Sequence, residues 1–149
     1  MLHVLDTSAL VKRYHLEAGS QVVIGLFNDP THQFIISSLS LTETIAALAR
    51  RHRRAEISAE DFETARFRLA LDLSTERVGV IDVERRHIVT AHDLILQHVL
   101  SGTDAVILAC ALDLTADSPV FVCADTRSGL LRAAEACGLS TLNPLSPAA

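Results

Sequence analysis

Leu2-His3-Val4-Leu5-Asp6-Thr7-Ser8 sets a brief β-compatible run directly against three residues that can cap a helix. A strand that hands over to a helix at its carboxyl end is half of a β-α unit, and the pattern recurs down the chain. A short helix through Tyr14 and another from about Ser20 to Phe27 precede a turn at Asn28-Asp29-Pro30 and a second strand at Phe34-Ile35-Ile36. Ser40-Leu41-Thr42-Glu43 has capping-box spacing and predicts a helix with the apolar stripe Leu41, Ile45, Leu48, Ala49 and His52, ending in Arg50-Arg51-His52-Arg53-Arg54. Ser58 opens the next helix, with Phe62, Ala65, Leu69 and Leu73 on its apolar face.

Val78 to Ile81 predicts a third strand and Val83 to about Leu100 a long helix, broken at Ser101-Gly102-Thr103 before a helix from Asp104 to Leu112. Val120-Phe121-Val122 is a fourth strand, Asp125 opens a helix to Cys137 that stops at Gly138, and Leu139 to Leu142 is a last strand before Asn143-Pro144. Strands separated by helices imply right-handed crossovers and helices on both faces of a parallel sheet. The expectation is one α/β domain over residues 1–149, with a central sheet of four to five strands.

With 149 residues, 49% of them apolar and 21% charged, the chain can bury a core without disulfide or metal staples. No apolar run reaches the roughly 20 residues that span a bilayer. The N-terminus lacks a basic segment and meets Asp6 too early for a signal peptide, which predicts a cytoplasmic protein. Cys110, Cys123 and Cys137 are odd in number and widely spaced, so they signal neither a disulfide framework nor a zinc cage. The seven histidines never stand three or four residues apart, which removes helical His-pair metal sites. A net charge of −5 confines any nucleic-acid binding to a local patch. Lys12 is the one lysine, so chemistry that needs a buried catalytic lysine has almost no candidate.

In open parallel sheets, sites form beyond the carboxyl ends of the strands, where the strand order reverses. Asp6 follows the first strand directly, Asp125 follows the fourth after two residues, Glu43 falls in the first turn of the helix after the second, and Asp104 opens a helix after the helix break at Gly102. Each acid singly reads as a helix cap. Four at one sheet edge would repel one another without bound cations, and clustered carboxylate oxygens suit Mg²⁺ or Mn²⁺. Two such ions about 4 Å apart are a standard device for in-line phosphodiester hydrolysis.

The segments Leu5-Asp6-Thr7-Ser8-Ala9-Leu10, Ser38 to Ala46 around Glu43, Thr103-Asp104-Ala105-Val106-Ile107-Leu108-Ala109 and Ala124-Asp125 resemble, in order and spacing, the motifs of the PIN-domain family. The resemblance runs essentially end to end, and the length is that of the compact VapC-type toxins. It implies a three-layer α/β/α PIN-like fold and a Mg²⁺- or Mn²⁺-dependent endoribonuclease that hydrolyses RNA with metal-activated water. It implies a metal site of Asp6, Glu43, Asp104 and Asp125, a cognate antitoxin and a homodimer. Two features depart from the family. Cys123 stands where relatives often have Ser or Thr, and Thr126-Arg127-Ser128-Gly129 carries no further carboxylate.

Thr7 and Ser8 read either as helix caps or as groups that orient water or phosphate beside Asp6. Lys12 and Arg13 read as solvated. Arg50, Arg51, Arg53 and Arg54 exceed what a helix C-terminus needs and read as an RNA or antitoxin contact. His87, His92 and His98 read as surface or partly buried residues. A haloacid-dehalogenase-type phosphatase would need an Asp at Ser8 and a late lysine, and the chain has neither. A catalytically silent PIN-like scaffold for protein or RNA binding is the remaining alternative.

Overall fold

The computed structural model describes residues 1–124 and 129–146. Five strands, β1 (Leu2–Leu5), β2 (Gln33–Ser37), β3 (Val78–Ile81), β4 (Val120–Val122) and β5 (Ser140–Leu142), form one sheet in the order β3-β2-β1-β4-β5. Every neighbouring pair is parallel. Parallel pairing forces a crossover after each strand. The described crossovers hold α1 (Thr7–Tyr14), α2 (Ser20–Asn28), α3 (Ser38–Arg53), α4 (Ala59–Ser74), α5 (Arg85–His98), α6 (Gly102–Leu112) and α7 (Leu130–Ala136). The chain steps outward from β1 to β3, returns, and steps outward the other way through β4 and β5. The order therefore reverses between β1 and β4, whose ends are joined by the Asp6 amide donating to the Val122 carbonyl at 3.0 Å.

Side-chain alternation along the strands builds the three layers. Val4 and Phe121 point into one core with Ala91 and Leu94 of α5, Ile107 and Leu108 of α6, and Leu130 and Ala134 of α7. Their neighbours Leu5 and Val122 point into the opposite core with Leu10 of α1, Val23 of α2, Leu48 of α3 and Leu69 of α4. Among the described residues, no single helix is long and apolar enough to cross a membrane.

Local chemistry moves several predicted boundaries. The cap of α3 is Ser37, whose hydroxyl accepts from the Ser40 amide at 2.9 Å, so the predicted Ser40–Glu43 capping box does not form. The helix also turns a different face inward from the stripe predicted. Its buried face is Ser40, Thr44 and Leu48, while Ile45 is 37% exposed. Ser101 caps α6 through the Asp104 amide, which makes Asp104 the third residue of the helix, in its first turn, rather than its opening residue. The final helix is described only from Leu130, and its predicted start at Asp125 lies outside the described residues. His87 is fully buried because both ring nitrogens are engaged. Nδ1 accepts from the Glu84 amide and Nε2 lies 2.8 Å from Asp113.

Candidate active-site cleft

Asp6 sits at the carboxyl end of β1, at the reversal in strand order, and is 4% exposed. It is the N-cap of α1, with Oδ1 accepting from the Ala9 amide at 2.8 Å. The capping reading is therefore correct, and it leaves the carboxylate in the cleft. Ser8 Oγ lies 2.8 and 2.9 Å from the two Asp6 oxygens and accepts from the Ala124 amide at 2.8 Å. Ser8 thus ties the first turn of α1 to the chain leaving β4. Burial pushes the Asp6 carboxyl up to about 6, and the Asp104 charge adds to the rise. Hydrogen bonds from Ala9, the Cys123 thiol and Ser8 oppose it. Cys123 is fully buried, its sulfur 3.9 Å from Ser8 Oγ.

Glu43 lies in the second turn of α3, and its Oε2 accepts from Thr7 Oγ1 at 2.7 Å. It caps nothing. Asp6, Thr7, Ser8, Glu43 and Asp104 line a single open cleft of about 440 Å³. Three of the four predicted acids are thereby brought together, and Asp125 lies outside the described residues. Among the described residues, no three His, Cys, Asp or Glu side chains stand close enough to cage a metal unaided. The donor set nevertheless fits a hard cation. Asp6, Glu43 and Asp104 offer carboxylate oxygens to one cleft, and the buried Asp6 carboxyl resists ionisation partly because Asp104 is charged, which a cation would relieve.

Beyond Val11 and Ala47 the cleft becomes mainly basic, lined by Lys12, Arg50, Arg51 and Arg54 with the carboxylates of Glu17 and Glu56 among them. Helical spacing explains this. Lys12 is six residues from Asp6 along α1, and Arg50 and Arg51 are seven and eight from Glu43 along α3, which places the bases roughly 9–12 Å from the acids. Arg53 is exposed and does not line the cleft.

Lys12 and Arg13 are not the solvated residues that the sequence suggested. Lys12 is 6% exposed with Nζ 2.8 Å from Glu17 Oε1. Arg13 pairs with Asp72 at 3.2 Å and stacks on Phe27. Glu17, which sequence reasoning passed over, also takes Arg51 on Oε2 at 2.6 Å. Its signal was an acid five residues after the chain's one lysine, in the break between two helices.

No curated protein matches the chain by sequence. Solved structures do match it in shape. A toxin–antitoxin complex from Klebsiella pneumoniae aligns with a TM-score of 0.60 at 15% identity, covering 95% of this chain and 97% of that one. FitAcB from Neisseria gonorrhoeae gives 0.62 at 18%, covering 97% and 98%. VapBC2 from Rickettsia felis, solved with a DNA fragment from its promoter, gives 0.58 at 18%, covering 96% and 98%. At these identities the likeness is one of fold. The family model described as PIN domain matches residues 3–136 of the 149, a span that contains the cleft residues Asp6, Glu43 and Asp104, and the chain belongs to the PIN domain family.

Proposed function

We propose that this protein is a metal-dependent endoribonuclease, a single domain over residues 1–149 that acts as the toxin of a toxin–antitoxin pair in the cytoplasm. The observation that carries the reading is one cleft with converging acids at one end and bases at the other. Asp6, Glu43, Asp104 and Asp125 would hold Mg²⁺ or Mn²⁺. The bound ion supplies Lewis-acid polarisation of a phosphodiester and an activated water. Thr7 orients Glu43, and Ser8 orients Asp6. Arg50, Arg51 and Arg54 are placed to attract the phosphate backbone. With aromatic residues at 4% and no tryptophan, recognition rests on backbone charge and RNA shape rather than on base stacking.

A cognate antitoxin is proposed because the similar structures include toxin–antitoxin complexes, and because a free ribonuclease would harm its own cell. A homodimer follows from the family resemblance. Cleavage of total cellular RNA by antitoxin-free protein, with Mn²⁺, Mg²⁺ or EDTA and beside Asp104→Asn, tests the reading. Metal-dependent cleavage that the variant loses is the expected result. Intact RNA in every metal, together with no Mn²⁺ bound in a calorimetric titration, would favour the silent scaffold.

A further inference from the structure

We propose that Lys12 and Arg51 form a phosphate subsite of the cleft, which Glu17 fills with its own carboxylate until an RNA backbone displaces it. The proposal rests on the ribonuclease reading. Both Glu17 oxygens are taken by cations from different helices, Lys12 of α1 at 2.8 Å and Arg51 of α3 at 2.6 Å. Two cations bridged by one carboxylate in this way present the donors that a phosphate oxygen pair would meet. The pair is reachable, since the Glu17 and Arg51 side chains are 24% and 26% exposed and both line the cleft that holds the acids.

Burying a lysine this deeply is unfavourable unless it is paired, so an empty subsite needs an internal anion. Glu17 is well placed to serve and to yield. It lies in the turn between α1 and α2, where its amide donates to Ser20 Oγ at 3.0 Å and its backbone stays anchored when the side chain swings. Gly19 fixes that turn. Its φ is +84°, and a Cβ there would meet the Pro144 carbonyl oxygen at 2.9 Å. The triad carries one net positive charge with Glu17 in place and two once it leaves, which is the change that a phosphate would exploit.

The test is fluorescence anisotropy of a labelled single-stranded RNA oligonucleotide in EDTA, read as the slope of log K against log salt. Glu17→Gln should bind severalfold tighter than wild type, with a slope steeper by about 0.7, the value of one more neutralised phosphate on a single strand. Lys12→Met in that background should erase the gain. Arg51→Met alone, at a partly exposed helix position that tolerates the change, should flatten the slope by about 0.7. Arg66→Met, an equal charge loss on α4 outside the cleft, should leave it alone. Circular dichroism confirms the fold of each variant. Equal or weaker binding by folded Glu17→Gln, while wild type cleaves RNA with metal, overturns the subsite and spares the nuclease. RNA neither bound nor cleaved by any form removes both.

Discussion

Thr7 Oγ1 donates to Glu43 Oε2 at 2.7 Å, so the residue after Asp6 on α1 holds the acid contributed by α3. The two lie 36 positions apart in sequence. One helix start thereby sets the place of two cleft carboxylates, Asp6 as its cap and Glu43 through its first hydroxyl.

Replacing that hydroxyl with a methyl should loosen Glu43 while keeping the shape of the helix start. Thr7→Val is expected to weaken Mn²⁺ binding by about tenfold, the lower end of the effect of losing a partner that orients a metal ligand. Thr7→Ser should retain most of the affinity. Isothermal titration of the three proteins with Mn²⁺ decides it, and equal affinities would show that Glu43 is held by other means.

Asp6 governs stability in the metal-free protein with a definite sign. Its folded carboxyl titrates at about 6 against 3.8 for the free group, so the folded state holds the proton more tightly. Its contribution is fully present below pH 3.8 and is lost as pH rises through about 6, a loss on the order of 3 kcal/mol. Asp6→Asn, which keeps the cap, should therefore unfold at higher urea than wild type in EDTA at neutral pH, with the gap closing near pH 4. Adding Mn²⁺ should stabilise the wild type and not the variant. A constant gap across the pH range would count against a raised Asp6.

Tyr14 tests a buried network on the far side of α1. Its hydroxyl donates to Asp72 Oδ2 at 3.0 Å, and burial beside that carboxylate holds the phenol well above its ordinary range. Tyr14→Phe removes one bond to a buried charge that Arg13 still pairs, and should cost about 1.5–3 kcal/mol. Urea denaturation reads the loss, while RNA cleavage should be unchanged because neither residue lines the cleft.

Val99 is a β-branched residue at φ +56°, 87% exposed, at the C-cap of α5. The left-handed conformation costs it about 1–2 kcal/mol, against roughly 0.5–1 kcal/mol of extra chain entropy for glycine. Val99→Gly should therefore stabilise by about 0.5–1 kcal/mol, visible as a rise of a few degrees in Tm. An unchanged or lower Tm would mean that the valine side chain contributes a contact of its own.

The sequence by itself determined the alternation of strands and helices, because apolar runs too short for helices separated longer segments with helical periodicity. It also determined which acids follow strands, and from these came the parallel sheet and the edge where a site forms. Tertiary structure decided the rest. Ser37, rather than Ser40, caps α3 because its hydroxyl comes off β2 already aimed at the helix, and only that choice frees Glu43 for Thr7. Several residues nearby can cap equally well, so spacing alone cannot select one. Lys12 read as solvated because charge patterning along the chain carries no information about a carboxylate in the next turn or an arginine on another helix. The Lys12–Glu17–Arg51 triad exists only once α1, the turn before α2, and α3 are packed together, since ion pairing depends on distance in space and those residues are up to 39 positions apart.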